Sequence, residues 1–208
     1  MLSDINLPLI MLAALIAALS PGPATLAIAG TSMQSGRKMG LALASGITTG
    51  SWLWSISAAL GLGAIMLANA WIFEVMRYFG GGYLLFLAYS SAKSALSSKQ
   101  TVATSIGART LRGAFSRGLA LHVTNPKAIL FFGALFAIGV PPGSSPIALA
   151  VVILAVGLQS TIIFHGYAVL FSNPLMVRGY TRLRRWMEGI FAAAFGYAAF
   201  QIFTSRVT

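Results

Sequence analysis

ALSPGPATLAIAG, residues 18–30, is the stretch on which the fold of this chain turns. It lies inside an apolar run that begins at Ile5, and it sets two prolines around a glycine. Proline lacks a backbone donor and its ring clashes with the preceding turn. Pro21 and Pro23 therefore leave the carbonyls near Ala17–Leu19 without helical partners. A new helical segment is expected to start around Ala24 and to expose free N–H groups carrying partial positive charge. Such backbone survives at membrane depth only against protein or a wet cavity. The stretch reads either as a kink repaired by neighbouring hydroxyls or as a break that faces a ligand.

The rest of the chain puts that break in a membrane. Of its 208 residues 57% are hydrophobic and 8% charged, whereas soluble domains carry about 25% charged residues. Six apolar runs, near 5–33, 41–67, 72–95, 112–139, 147–171 and 186–205, reach the roughly 20 residues that span a hydrocarbon core. Barrel strands would instead show alternating segments of about ten residues. The expected fold is an all-α integral membrane protein, one transmembrane domain over 1–208. Cysteine is absent, which removes disulfides, thiolate ligands and a nucleophilic thiol. The N-terminus makes a poor signal peptide, with no basic leader, an acid at Asp4, and prolines where cleavage would fall.

The net charge of +11 is a topology signal. Arg37 and Lys38 follow the first run; Lys93, Lys99, Arg109, Arg112 and Arg117 surround the third linker; Arg178, Arg182, Arg184 and Arg185 occupy the fifth. Those eleven of the fourteen basic residues fall on one side. The positive-inside rule makes that side cytoplasmic and puts both termini outside. Anionic headgroups are the expected partner of this charge, and a nucleic-acid role gains little support.

Six runs divide into two sets of three. An offset of 105 residues lays Pro21 on Pro126, and a later offset of 114 lays GYLLF (82–86) on GYAAF (196–200). An odd number of spans per set turns the second over, giving inverted repeats at about 1–98 and 110–208. Paired broken helices in such repeats mark a transporter site where the halves meet. The second break is then HVTNPKAILFF (122–132), with Asn125 as helix cap and Pro126 at the first helical position. A helix N-terminus can hold a carboxylate.

These residues resemble the LysE/RhtB family of amino-acid exporters. The shared features are the S-P-G-P segment Ser20–Pro23, the turn SGRKMG (35–40) and the glycines of GITTG (46–50). GGYLLFLAY (81–89) and NPKAILFF (125–132) continue the match in order and spacing over nearly the whole chain. The resemblance implies a six-helix exporter, with broken helices 1 and 4, moving amino acids or close derivatives out of a bacterial cytoplasm. It implies residence in the cytoplasmic membrane and drive by the proton gradient. It leaves a homo-oligomer open. The family's broken-helix positions carry over onto Pro21, Gly22, Pro23, Asn125, Pro126 and Lys127. With Ser20 and Thr25 these form the candidate substrate contacts.

Lys127 is the strongest single candidate, because a charge inside a span is expensive and usually functional. It could pair with a substrate carboxylate or carry a proton. The competing structural role is a snorkelling stem whose amine caps orphan carbonyls of the opposite break. His122 and His165 are further relay candidates, although lone membrane histidines more often serve packing. Among the acids, Glu74 lies three residues from Arg77 and Glu188 four from Arg184, a spacing that reads as helix-end ion pairs. With no acid clearly at mid-membrane, a cationic substrate lacks a counter-ion, so the expected substrate is neutral overall. Gly46 and Gly50 form a small-residue packing face. Core packing is also the expected role of Trp52 and Trp54.

Two other function classes compete with transport. An intramembrane hydrolase needs a serine brought to His122 or His165 and a route for water, and no nucleophile-elbow motif is present. A channel needs a filter or charged ring, and none is conspicuous. The expectation is a transporter with no enzymatic activity, no cofactor and no metal site, since two histidines without thiols or adjacent acids make a poor ligand set.

Overall fold

The computed structural model describes residues 5–68, 70–97, 105–141 and 143–204. Asp4, Lys99 and the side chains of Glu74 and Arg77 lie outside the description, and so do the expectations placed on them. Among the described residues every regular element is helical: α1 Leu7–Leu19, α2 Pro23–Ser35, α3 Arg37–Ala68, α4 Ala70–Leu96, α5 Leu111–Val123, α6 Pro126–Gly139, α7 Pro146–Leu170 and α8 Pro174–Thr204.

The prolines mostly start helices. Pro8, Pro23, Pro126, Pro146 and Pro174 all fall in first turns, where the missing N–H costs nothing and the fixed φ suits the helix. The residue before each N-terminal proline often supplies the cap. Ser145 Oγ accepts from Ala148 N at 3.3 Å, and Asn173 Oδ1 accepts from Leu175 N at 2.9 Å. That second cap corrects a boundary. The stretch 172–185 reads as a linker for its arginines, yet α8 runs through it from Pro174. Arg184 Nη2 and Arg185 Nε donate to the carbonyls of Ser97 and Ala95 at the end of α4, where carbonyls lack intrahelical donors. The first linker shrinks likewise to Gly36, whose φ of 84° suits only a residue without Cβ.

Two helix pairs are bent sharply at a short break. α1 and α2 meet at 50°, and α5 and α6 at 57°. Taken as single spans, both pairs are long and apolar enough to cross a membrane, as is α7 by itself. The helices α3, α4 and α8 have the length, at 32, 27 and 31 residues, with more polar positions along them. Large apolar side chains point outward, among them Leu12, Phe79 and Ile162 at 54%, 74% and 72% exposure. An apolar exterior over a helical bundle fits lipid as its solvent.

The breaks separate two apolar clusters. One joins α1, α6 and the first half of α7 around Ile10, Phe136 and Val152. The other joins α2, α3, α5 and the end of α7 around Ile28, Leu43 and Phe164. A third binds α4 to α8 through Leu84, Leu87, Phe191 and Phe195. Glycine lets α3 and α5 touch backbone to backbone: a Cβ at Gly46 would run into Phe115 O, and one at Gly118 into Leu43 O. Trp52 packs against Gly157, and Trp54 against the first cluster. Both tryptophans are packing residues, as expected.

Candidate functional site

At the first break α1 closes with Ser20 N donating to Ile16 O at 2.9 Å. Pro21 and Pro23 have no donor to offer the turn behind them. The Gly22 N–H turns instead to Thr25 Oγ1 at 2.8 Å, and that hydroxyl donates back to Gly22 O at 3.0 Å. The freed carbonyls find partners from the second half of the chain. Tyr167 Oη donates to Leu19 O at 2.9 Å, and Lys127 Nζ donates to Ser20 O at 3.3 Å. The capping role open to Lys127 is thus real, and it uses one of the three donors of an ammonium. Gly22 itself is extended, φ −165° and ψ 179°, so its smallness serves space. A Cβ there would meet Lys127 Cδ and Nζ at 3.3 Å. Beyond it, α2 opens with Pro23 and no side-chain cap. The N–H groups of Ala24 and Thr25, in its first turn, have no carbonyl one turn back.

At the second break α5 ends at Val123 and α6 begins at Pro126. Asn125 Oδ1 accepts from Lys127 N at 3.0 Å, while Asn125 O takes the N–H groups of Ala128 and Ile129. This end is closed on itself.

Two cavities meet at the breaks. A cleft of about 720 Å³ is lined by Ser20, Pro21, Gly22 and Pro23 from the first break and by Asn125, Pro126 and Lys127 from the second. Tyr83, Ser90, Ser91 and Ser94 of α4 and Glu188 of α8 complete its wall. On the other side of Lys127 a small chamber of about 50 Å³ is lined by Ser20, Gly22, Thr25, Ser51, His122, Asn125, Lys127 and Ser160 with apolar neighbours. Ser20, Gly22, Asn125 and Lys127 face both spaces.

The sequence-derived candidates therefore converge, with one exception. His122 joins the chamber, its Nε2 3.0 Å from Ser51 Oγ and its buried Nδ1 without a partner. His165 lines neither cavity. Its Nδ1 donates to Thr161 O at 2.9 Å and its Nε2 lies 3.0 Å from Ser45 Oγ. The Ser45 hydroxyl is also 3.0 Å from Leu41 O. Each histidine thus meets a serine, the contact a hydrolase would need, but no carboxylate is hydrogen-bonded to either ring among the described residues.

Glu188 is the residue that sequence reasoning misplaced. Its spacing from Arg184 suggested only a helix-end pair; it is 3% exposed, accepts from Ser94 Oγ at 2.8 Å and lines the cleft. An acid does stand in the cleft. The available signal was local: WMEGIFAAAF (186–195) sets that acid at the head of an apolar run, one turn inward from the arginines. Tyr167, which closes Leu19 O, carried no such signal.

Comparison with known proteins follows the same lines. A model of the LysE type translocator family matches residues 15–206. A threonine efflux protein of Salmonella typhi is 31% identical over 92% of this chain and 94% of its own length. The threonine efflux protein of Escherichia coli K12 is 30% identical over the same shares. A leucine efflux protein of an Enterobacter species is 30% identical over 77% of this chain and 75% of its own. No solved structure matches the chain.

Proposed function

The chain belongs to the LysE type translocator family, whose members are transporters and not enzymes, and from that premise we propose that it exports amino acids from the bacterial cytoplasm. The observation that carries this reading is the cleft where both helix breaks meet around Lys127. An uncapped helix N-terminus and an ammonium together suit a carboxylate. The threonine and leucine efflux relatives favour substrates with a free carboxylate and amine and no net charge. The cleft volume falls within the roughly 300–1,000 Å³ common for small-molecule sites.

The reading includes a topology. We take the pairs α1–α2 and α5–α6 as single spans, so that six spans form two inverted sets: α1–α2, α3 and α4, then α5–α6, α7 and α8. Matching bends at matching positions support that symmetry. The positive-inside rule then sets both termini outside the cytoplasmic membrane and turns Ser90, Ser91 and Ser94, near the basic end of α4, toward the cytoplasm. The cleft is accordingly read as open to the side from which an exporter takes its load.

Export is proposed to be driven by protons. Lys127, His122 and His165 are the candidate carriers, and His165 has the most telling surroundings. Its ring and the Ser45 hydroxyl lie between two carbonyl acceptors, Thr161 O and Leu41 O. All three hydrogen bonds form together only when both ring nitrogens carry a hydrogen. Losing the Nε2 proton leaves the α3–α7 contact to the Ser45 hydroxyl, which must turn from Leu41 O to donate to the ring, so protonation sets the direction of that hydrogen bond.

The test is efflux from proteoliposomes loaded with labelled L-threonine or L-leucine. Saturable efflux stimulated by an opposing proton gradient, and lost on adding a protonophore, is the expected result. His165→Asn is expected to keep exchange of substrate for substrate while losing most of the stimulation. No saturable movement of either amino acid by the wild type would overturn the exporter reading. Full stimulation in His165→Asn would remove that residue from the coupling.

A further inference from the structure

Among the described residues, the lining of the cleft holds the cation Lys127 and the anion Glu188. They reach it from different elements, Lys127 from the first turn of α6 and Glu188 from α8. Glu188 is buried, at 3% exposure. Burying a carboxylate is costly unless other groups donate to it. Ser94 Oγ, across the α4–α8 seam, donates to Oε1 at 2.8 Å. That hydroxyl fills one of about four acceptor positions on a carboxylate and fixes the orientation of the rest. Of the neighbouring arginines, Arg184 Nη2 donates to the carbonyl of Ser97 and Arg185 Nε to that of Ala95. The serines of α4 at positions 90 and 91 make the wall near Glu188 polar.

From this arrangement we infer that Glu188, oriented by Ser94, holds the ammonium group of a zwitterionic amino acid whose carboxylate sits at Lys127 and the N-terminus of α2. The inference rests on the exporter reading and adds a specificity determinant to it. A cation and an anion in one lining match both ends of a zwitterion and leave no net charge for the site to carry. The same pairing predicts that acids without an amine bind less well. Such a molecule satisfies Lys127 and leaves Glu188 desolvated without its partner, a mismatch worth about ten- to a hundredfold in affinity. A dicationic substrate would bring one positive charge too many to a cleft that already holds Lys127.

The experiment uses the full chain in proteoliposomes and whichever of L-threonine or L-leucine the wild type moves faster. The competitors are that amino acid and the same molecule without its amine, 3-hydroxybutanoate or 4-methylpentanoate. Wild type is expected to prefer the amine-bearing competitor by at least about tenfold. Glu188→Gln is expected to raise KM for the amino acid and to bring that preference to within about threefold of unity. Ser94→Ala keeps the carboxylate and is expected to lower the preference by about threefold. Wild-type transport with an unchanged preference in Glu188→Gln overturns the ammonium subsite and leaves the exporter reading standing. A fall in maximal rate with the preference intact marks Glu188 as structural and also overturns it. If Glu188→Gln does not assemble, an unchanged preference in Ser94→Ala decides against the subsite. Failure of the wild type to move either amino acid removes the exporter reading and the subsite together.

Discussion

At the first break the chain reaches α2 through Gly22 and Pro23, with no side chain to close the helix end; at the second it reaches α6 through Asn125, whose own oxygen takes the first free donor. The bends are nearly equal, 50° and 57°, so the shapes repeat while the chemistry does not. The first break depends on the other half of the chain, since Tyr167 and Lys127 serve its stranded carbonyls. The second satisfies its own backbone and contributes a charge outward. On the proposed function, the two breaks split the binding of one anion between them. α2 supplies open backbone donors, and α6 supplies the cation beside them. Both are positive, which is why the pair reads as one anion site and not two.

Lys127→Ala should disturb this division most. It removes the cation and leaves Ser20 O without its donor, an uncompensated loss in a low-dielectric site. Transport measured as kcat/KM in proteoliposomes is expected to fall by at least about a hundredfold. Retention of a third or more of the wild-type rate would mean that the α2 terminus alone holds the anion. Gly22→Ala comes next. Its backbone angles suit any residue, so the effect isolates space: the added Cβ would sit 3.3 Å from Lys127 Cδ and Nζ and push the amine aside. A rise in KM of about three- to tenfold with near-normal assembly is expected. An unchanged KM would show that Lys127 does not need to lie across Gly22.

How much of this was legible in sequence follows from how local each cause is. The breaks were readable because a proline removes its own donor wherever it stands. Pro23 and Pro126 begin helices within a residue of expectation, and the candidates Ser20, Gly22, Asn125 and Lys127 meet because those starts face each other. The beginning of α8 was less legible. Its arginines suggested a polar linker, and only contact with the carbonyls at the end of α4 makes them helix-stabilising. Glu188 was misjudged for the same reason. Its neighbour by helix spacing is Arg184, while the hydroxyl that orients it lies 94 residues away in sequence. Which face of α8 turns inward is decided by packing against Leu84 and Leu87, and no local periodicity announces it.

The smallest effect is the one that most sharpens the contrast between the breaks. Asn125→Ala removes the oxygen that accepts from Lys127 N and should cost about 1 kcal/mol of stability, as lost N-caps do. It also uncaps α6 and frees a donor beside the cleft, making the second break resemble the first. If α2 already supplies the backbone donors that a carboxylate uses, this extra donor is redundant. Transport by the folded fraction is then expected to stay within about threefold of wild type, with a lower thermal midpoint in detergent as the main change. A loss of transport comparable to that of Lys127→Ala, at a comparable folded fraction, would mean that Asn125 touches the substrate directly. The division of labour would then fail, and the two breaks would have to be treated as equal halves of the site.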